Sequence, residues 1–334
     1  MMEIGATQQS QPAQPAGSWR IAGLGLLLVL LLGTSLILGP VMLAPAQVVG
    51  ALITPGVDPA AAAIVGNLRL PRTLLALVAG SMLGIAALLL SRLSGTAGAL
   101  DPGWSGVLAP GALAAVGGLA LLPATPWAVP LLLLAGCGVG LALAGGLRRA
   151  WPQRAGRVSA AGLALALLLP FVAFMLLIGD LRIATWVRWC LGSLEMRDWT
   201  TWQMTGPLVA LALVALGAAQ CWPQRSLFGW ATTVCAAASS VAAAGAIGLL
   251  GGLAGNWALR RACRPAAQLV LAGLAGAILL LSADLAARGA TMVLPSPGLF
   301  SEWPVGALVL LFSLVFGLWH VLGRPGVRKA GPGA

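Results

Sequence analysis

The placement of charge between long apolar runs constrains this chain more than any other feature. Ten apolar stretches can be marked, at approximately residues 21–38, 73–90, 105–122, 130–147, 160–178, 203–219, 229–245, 246–259, 268–287 and 304–322. Several fall short of the ~20 residues an upright helix needs to cross about 30 Å of hydrocarbon, so the short ones must lean on helical neighbours. With the N-terminus inside, the cytoplasmic segments collect Arg20, Arg92, Arg148, Arg149, Arg154, Arg157, Arg225, Arg260, Arg261, Arg264, Arg324, Arg328 and Lys329 against only Glu3 and Asp101. The opposite side holds Arg69, Arg72, Arg182, Arg188, Arg197 and Arg288, balanced by Asp58, Asp180, Glu195, Asp198, Asp284 and Glu302. The net charge of +11 therefore lies entirely on one face. Short loops obey this bias in multi-pass membrane proteins, and an even number of spans puts both termini in the cytoplasm. A net charge of this size can also mark a nucleic-acid partner. Here it is spread over short loops and tails, which is a topological signal, and no nucleic acid is expected.

Composition removes whole classes of function. A soluble domain is about 25% charged, whereas this chain is 8% charged and lacks Tyr. Residues 18–323 thus read as one transmembrane domain of α-helices, flanked by a Gln- and Pro-rich disordered tail at 1–17 and a cytoplasmic tail at 324–334. Ala44-Pro45-Ala46 resembles a signal-peptide cleavage site, but the preceding apolar run is too long and its leader too extended, which favours an uncleaved first span. Cys137, Cys190, Cys221, Cys235 and Cys263 show no C-x-x-C spacing and read as packing residues. His320 stands alone, without the second ligand a metal site needs. Because the single lysine is Lys329, the G-x-x-x-x-G-K-[ST] phosphate loop cannot exist, so any nucleotide hydrolysis belongs to a partner. No cofactor, metal site or catalytic residue is expected.

Glycines at four-residue spacing, Gly80 with Gly84, Gly136 with Gly140, Gly248 with Gly252 and Gly251 with Gly255, predict closely apposed helices. In lipid the hydrophobic effect no longer drives helices together, and small residues that let backbones approach take its place. Intramembrane charge is expected to be nearly absent: Asp284 lies near the end of its span and can pair with Arg288 one turn on.

Several segments resemble the FecCD-type permeases, the membrane subunits of ABC importers for iron-siderophore, haem and cobalamin. Leu38 to Val48 followed by Asn67-Leu68-Arg69-Leu70-Pro71-Arg72 opens the resemblance. Asp101-Pro102-Gly103 with Gly106-Val107 is similar to the family's Asp-Pro-x-x-x-Gly-Val segment, and Trp189-Cys190-Leu191-Gly192-Ser193 with Trp199 to its outer Trp-x-x-Gly-Ser loop. Gly245-Ala246-Ile247-Gly248-Leu249-Leu250-Gly251, Ala283-Asp284-Leu285-Ala286-Ala287-Arg288 and Glu302-Trp303-Pro304-Val305-Gly306 follow in the family's order. Three departures stand out. Ser91 to Leu100 keeps almost none of the family's Gln-x-x-Thr-Arg-Asn-Pro-Leu-Ala, and Gly255-Asn256 replaces a Pro-His pair. Only Gln220 to Phe228 lies where the family carries its cytoplasmic coupling helix.

The resemblance implies a type II ABC importer permease fold in the bacterial inner membrane, carrying a metal chelate, with iron-siderophore first among the candidates. It implies a separate ATP-binding subunit, a periplasmic substrate-binding protein and a second permease subunit. Arginines at the positions of Arg69, Arg72 and Arg288 receive carboxylates of the binding protein in the family. Guanidinium groups suit that task, since they stay charged and take a carboxylate in two bonds; interfacial anchoring is the competing account. The tryptophans of the outer loop read as interfacial anchors. Pro223, Gln224 and Arg225 are the candidate ATPase-facing residues. Their short loop predicts that the chain works in a heterodimer with an intact FecCD-type partner; the rival expectation is a degenerate, non-transporting partner.

Overall fold

The computed structural model of the protein describes residues 18–96, 98–121, 128–150, 189–222, 226–294 and 302–312. Regular structure among them is entirely helical. The helices are α1 (Ser18–Ile37), α2 (Pro45–Ile53), α3 (Pro59–Ala63), α4 (Leu70–Ser94), α5 (Leu108–Leu121) and α6 (Ala128–Ala150). They continue as α7 (Trp199–Cys221), α8 (Ser226–Ala244), α9 (Leu250–Arg261) and α10 (Pro265–Val293). A π-helical turn, Ile64–Arg69, joins α3 to α4, and residues 305–312 are again helical.

Among the described residues, five helical segments are long and apolar enough to cross a membrane: Pro59–Ser94, Ala128–Gly146, Trp199–Cys221, Ser226–Ala244 and Pro265–Val293. The stretches Ile21–Ile37 and Leu108–Gly118 are apolar but shorter. This is a polytopic helical bundle, as the apolar runs predict. The expected span at 160–178, both tails and residues 313–322 of the last expected span lie outside the described residues.

At the centre α4 lies against α8, α9 and α10, and the small residues explain how. A Cβ built on Gly80 would sit 2.3 Å from the carbonyl oxygen of Gly276, and one on Gly84 would sit 2.1 Å from that of Ala272. Backbone therefore touches backbone along α4 and α10, which only glycine permits. Gly136 and Gly140 of α6 meet Pro110 and Val107 in the same manner. Cys137, Cys190 and Cys235 are buried as packing residues, whereas Cys221 and Cys263 are exposed.

Two expected spans are broken in the structure. The stretch 246–259 is a turn at 245–249 followed by α9, whose 12 residues cover only about 18 Å. The stretch 105–122 becomes helical only at Leu108, after the non-helical segment 98–107. These two breaks meet. Gly251 packs on the Leu83 carbonyl in the middle of α4, and Gly252 packs on Asp101. Asp101 is thus drawn away from the cytoplasmic loop, where the sequence placed it, into the body of the bundle. Hydropathy cannot foresee this, because an apolar segment reads alike whether its backbone is helical or extended. Such irregular backbone is tolerated at depth only where protein satisfies it.

Asp101 supplies much of that satisfaction. Leu249, the residue before α9, has φ +76° and no side chain able to cap the helix. In its place Asp101 Oδ2 accepts from the Gly252 amide at 2.8 Å, while Oδ1 accepts from the amides of Gly103 at 2.8 Å and Trp104 at 3.1 Å. A carboxyl acceptor at this position does the work of an N-cap side chain. Asn256, one turn on, clasps the loop from the other side: its Oδ1 accepts from the Ala99 amide at 2.9 Å and its Nδ2 donates to the Ala99 carbonyl at 3.2 Å. Asn256 is therefore a backbone clasp in this chain.

Candidate functional site

At the end of the bundle where α1 and α10 finish and α4 begins, three arginines far apart in sequence converge. Helix α1 ends at Ile37 without a basic residue in its last turn, so its terminal carbonyls need donors from elsewhere. Arg69 supplies them: its Nη1 donates to the carbonyls of Leu36 at 2.6 Å and Ile37 at 2.8 Å, and its Nη2 to that of Val41. Arg288 completes the cap by donating to the Ser35 carbonyl at 2.9 Å and the Leu38 carbonyl at 3.3 Å. The Ser35 hydroxyl ties in Arg288 at 2.9 Å and Thr73 at 2.8 Å.

A chain of charge runs beside this cap. Arg288 Nε donates to Asp284 Oδ2 at 2.9 Å, one helical turn away, as the i, i+4 spacing predicts. The other carboxylate oxygen of Asp284 accepts from Arg72 Nε at 3.2 Å and Nη2 at 2.7 Å. Arg72 Nη2 reaches onward to Glu302 Oε2 at 2.6 Å. The sequence Arg288, Asp284, Arg72, Glu302 alternates in sign and staples α4, α10 and the 302–306 segment together.

Burial corrects one expectation about these groups. Arg69 and Arg288 are 6% and 4% exposed, and Asp284 is fully buried. In the folded chain these groups are therefore mostly enclosed, not simple interfacial anchors. Removing either sign would strand the other in a poorly hydrated interior. Arg72 and Glu302 lie nearer the surface, with side chains 12% and 14% exposed.

The cluster lines one side of a cavity of about 560 Å³, open at this end, whose far wall is Glu195, Met196, Arg197 and Asp198. That wall belongs to the tryptophan-rich loop picked out in the sequence. Arg197 lies over the Trp189 ring at 4.6 Å, and the Trp199 and Trp202 indoles donate to the carbonyls of Gly66 at 2.9 Å and Pro71 at 3.2 Å. Trp199 and Trp202 are structural braces from the first turn of α7 to the π-helical turn and the start of α4. Asp198 caps α7 through the amides of Thr200 and Thr201. Partial burial disfavours its charge, but hydrogen bonds from Thr200 and Thr201 outweigh that and hold its pKa below the ordinary carboxylate value. The motif segments around Gly192, Ile247 and Gly306 also meet here: the Gly306 amide donates to the Gly192 carbonyl at 2.9 Å, and the Ala246 amide to the Trp189 carbonyl at 3.0 Å.

The structure therefore brings Arg69, Arg72 and Arg288 together on one site. Sequence reasoning missed Asp284 as a partner of Arg72, Glu302 as the outermost member, and Ser35 as a ligand of Arg288. Asp284 and Glu302 lie 212 and 230 residues from Arg72, a separation no spacing rule reaches. Pro223, Gln224, Arg225, Arg154, Arg157, Asp180, Arg182 and Arg188 lie outside the described residues. What is described is their frame: α7 ends at Cys221 and α8 begins at Ser226.

Comparison with known proteins agrees with this architecture. The sequence profile of the FecCD transport family matches residues 26–220. The chain is 31% identical over 273 residues, 75% of its own length and 82% of the other's, to the Fe(3+) dicitrate transport system permease protein FecD of Escherichia coli strain K12. A solved chain described as an inward-facing conformation of a metal-chelate type ABC transporter superposes with a TM-score of 0.61 at 19% identity. That likeness of fold covers 90% of this chain and 98% of the other. On the profile match and the length of shared sequence, this multi-pass membrane protein belongs to the FecCD transport family.

Proposed function

We propose that this chain is the permease subunit of an ABC importer that carries an iron(III) chelate, of the citrate or siderophore class. The observation that carries the reading is the 31% identity to the E. coli dicitrate permease across 82% of that protein. Nothing among the described residues performs covalent chemistry; the work is alternating access by helix bundles. Family membership implies an ATP-binding subunit and a substrate-binding partner, and in this reading the arginine mouth faces outward and the opposite, basic end inward.

The geometry supports docking at the mouth in a particular form. Arg69 and Arg288 hold α1 and set the shape of the surface, while Arg72 offers the exchangeable charge. Its outer partner, Glu302, occupies the position a carboxylate from a binding protein would take. Docking then exchanges one carboxylate for another, an event tuned by salt and cheap to reverse.

The connection between α7 and α8 supports a heterodimer. Cys221 and Ser226 leave four intervening positions, of which Trp222 is already non-helical. A coupling helix with its caps needs more residues than that. The family profile also stops matching at residue 220. The coupling element is then supplied by a second FecCD-type subunit.

Uptake of radiolabelled iron by cells co-expressing this chain with the E. coli dicitrate ATPase, binding protein and second permease tests the reading. Uptake with citrate or a siderophore that is lost with a hydrolysis-dead ATPase is the expected result. Uptake no higher than in that control for every chelate would contradict it.

A further inference from the structure

The flank of α9 carries a feature the transport reading does not use. Helices α1 and α9 both pack on α10, and between them runs a groove of about 820 Å³. Its walls are Leu24 of α1, Leu253 and Trp257 of α9, and Ala275 and Ile278 of α10. Asn256 also lines it, but its amide is committed to Ala99 and Gly252. The groove interior thus offers a polar solute no free partner. One end is different, because Arg260 lines it there. Arg260, Arg261 and Arg264 are exposed around that end, and none forms an ion pair among the described residues. Arg261 instead stacks over the Trp257 ring at 5.6 Å, which keeps its charge beside the groove.

We infer that this groove is a binding site for one anionic phospholipid, its acyl chain along α10 and its phosphate at Arg260 and Arg261. An apolar cleft that opens sideways into hydrocarbon is filled by hydrocarbon, since neither water nor a polar solute gains by entering. The unpaired arginines at one end select the headgroup, as basic clusters beside membrane helices do. An acidic protein surface could satisfy the arginines but not the apolar walls, so charge and groove together favour lipid. The bound lipid would fill the cleft beside α9 and brace α1 against α9.

The test uses the purified permease, reconstituted in vesicles of equal dioleoyl-phosphatidylglycerol and dioleoyl-phosphatidylcholine, then re-extracted in mild detergent for native mass spectrometry. Phosphatidylglycerol should be retained over phosphatidylcholine. Arg260→Gln and Arg261→Gln, both on exposed side chains that the fold does not need, should each lower that retention about fivefold. Leu253→Trp, which fills the groove from its open side, should abolish retention of either lipid. Equal retention of both lipids, displacement by inorganic phosphate, or unchanged retention in Arg260→Gln would overturn the inference. So would loss of ATPase-subunit binding in Arg260→Gln with phosphatidylglycerol retention intact, since the corner would then be a protein contact.

Discussion

The two ends of the bundle use the same side chain in opposite ways. At the mouth, Arg69 and Arg288 are buried and every described contact is made within the chain, to carbonyls, a hydroxyl and Asp284. At the other end Arg260, Arg261 and Arg264 are exposed and make no ion pair among the described residues. A tally of charge per loop treats both sets alike. Their environments differ because the mouth collects helix C-termini with unsatisfied carbonyls and a fully buried carboxylate, while the basic corner lies where α9 ends and α10 begins, open to solvent and headgroups. Arginine at the mouth is architecture; at the corner it is a free charge available to a partner.

The largest effect that could break this contrast is at Asp284. Asp284→Ala strands Arg72 and Arg288 together and should destabilise the protein by about 3–5 kcal/mol. Arg264→Ala at the corner should change stability by no more than about 0.5 kcal/mol. Chemical denaturation in micelles compares the two, and similar losses would erase the distinction. Next comes Asp101→Ala, which leaves the amides of Gly103, Trp104 and Gly252 without their acceptor and should cost about 1–3 kcal/mol. Asp101→Asn keeps one acceptor oxygen and should lose less, a graded pair that separates capping from mere bulk.

Smaller effects sharpen the division within the mouth. Asp198→Ala removes the cap of α7 and should cost about 1 kcal/mol near neutral pH. Because the folded-state pKa of Asp198 is depressed, its contribution is present above the unfolded carboxylate value of about 3.9 and fades as pH falls through the lowered folded value. Wild type and variant should therefore converge in acid, as followed by thermal melts at stepped pH. The smallest expected change is a gain. Glu302→Gln frees Arg72 for an incoming carboxylate and should tighten binding-protein affinity about two- to fivefold at low salt. Affinity that falls instead, in a folded variant, would place Glu302 itself in the docking surface.

Much of this was legible in the sequence, and the pattern of what was not has a physical reason. Apolar runs gave the membrane class because burying 20 residues in hydrocarbon demands that composition. The glycine pairs marked real contacts because only glycine lets α4 and α10 touch. Asp284 with Arg288 was visible through helical periodicity. The remainder depended on long-range partners. Asp101 capping α9 joins residues 151 positions apart, and nothing local distinguishes it from a loop carboxylate. The broken spans escaped for a related reason: hydropathy records where a segment can lie, not which groups receive its backbone hydrogen bonds.

The orientation of these two ends is the claim on which docking, coupling and cargo direction all rest. Native Cys221 and Cys263 are exposed at the basic end, and the other three cysteines are buried. Labelling with a membrane-impermeant maleimide therefore reads the orientation directly when wild type is compared with Asp58→Cys, at the N-terminus of α3 beside the mouth. The account predicts that intact spheroplasts label Asp58→Cys and leave wild type unlabelled until the membrane is opened. Labelling of wild type in sealed spheroplasts, with Asp58→Cys adding nothing, would turn the molecule over and contradict an importer whose arginine mouth faces its binding protein.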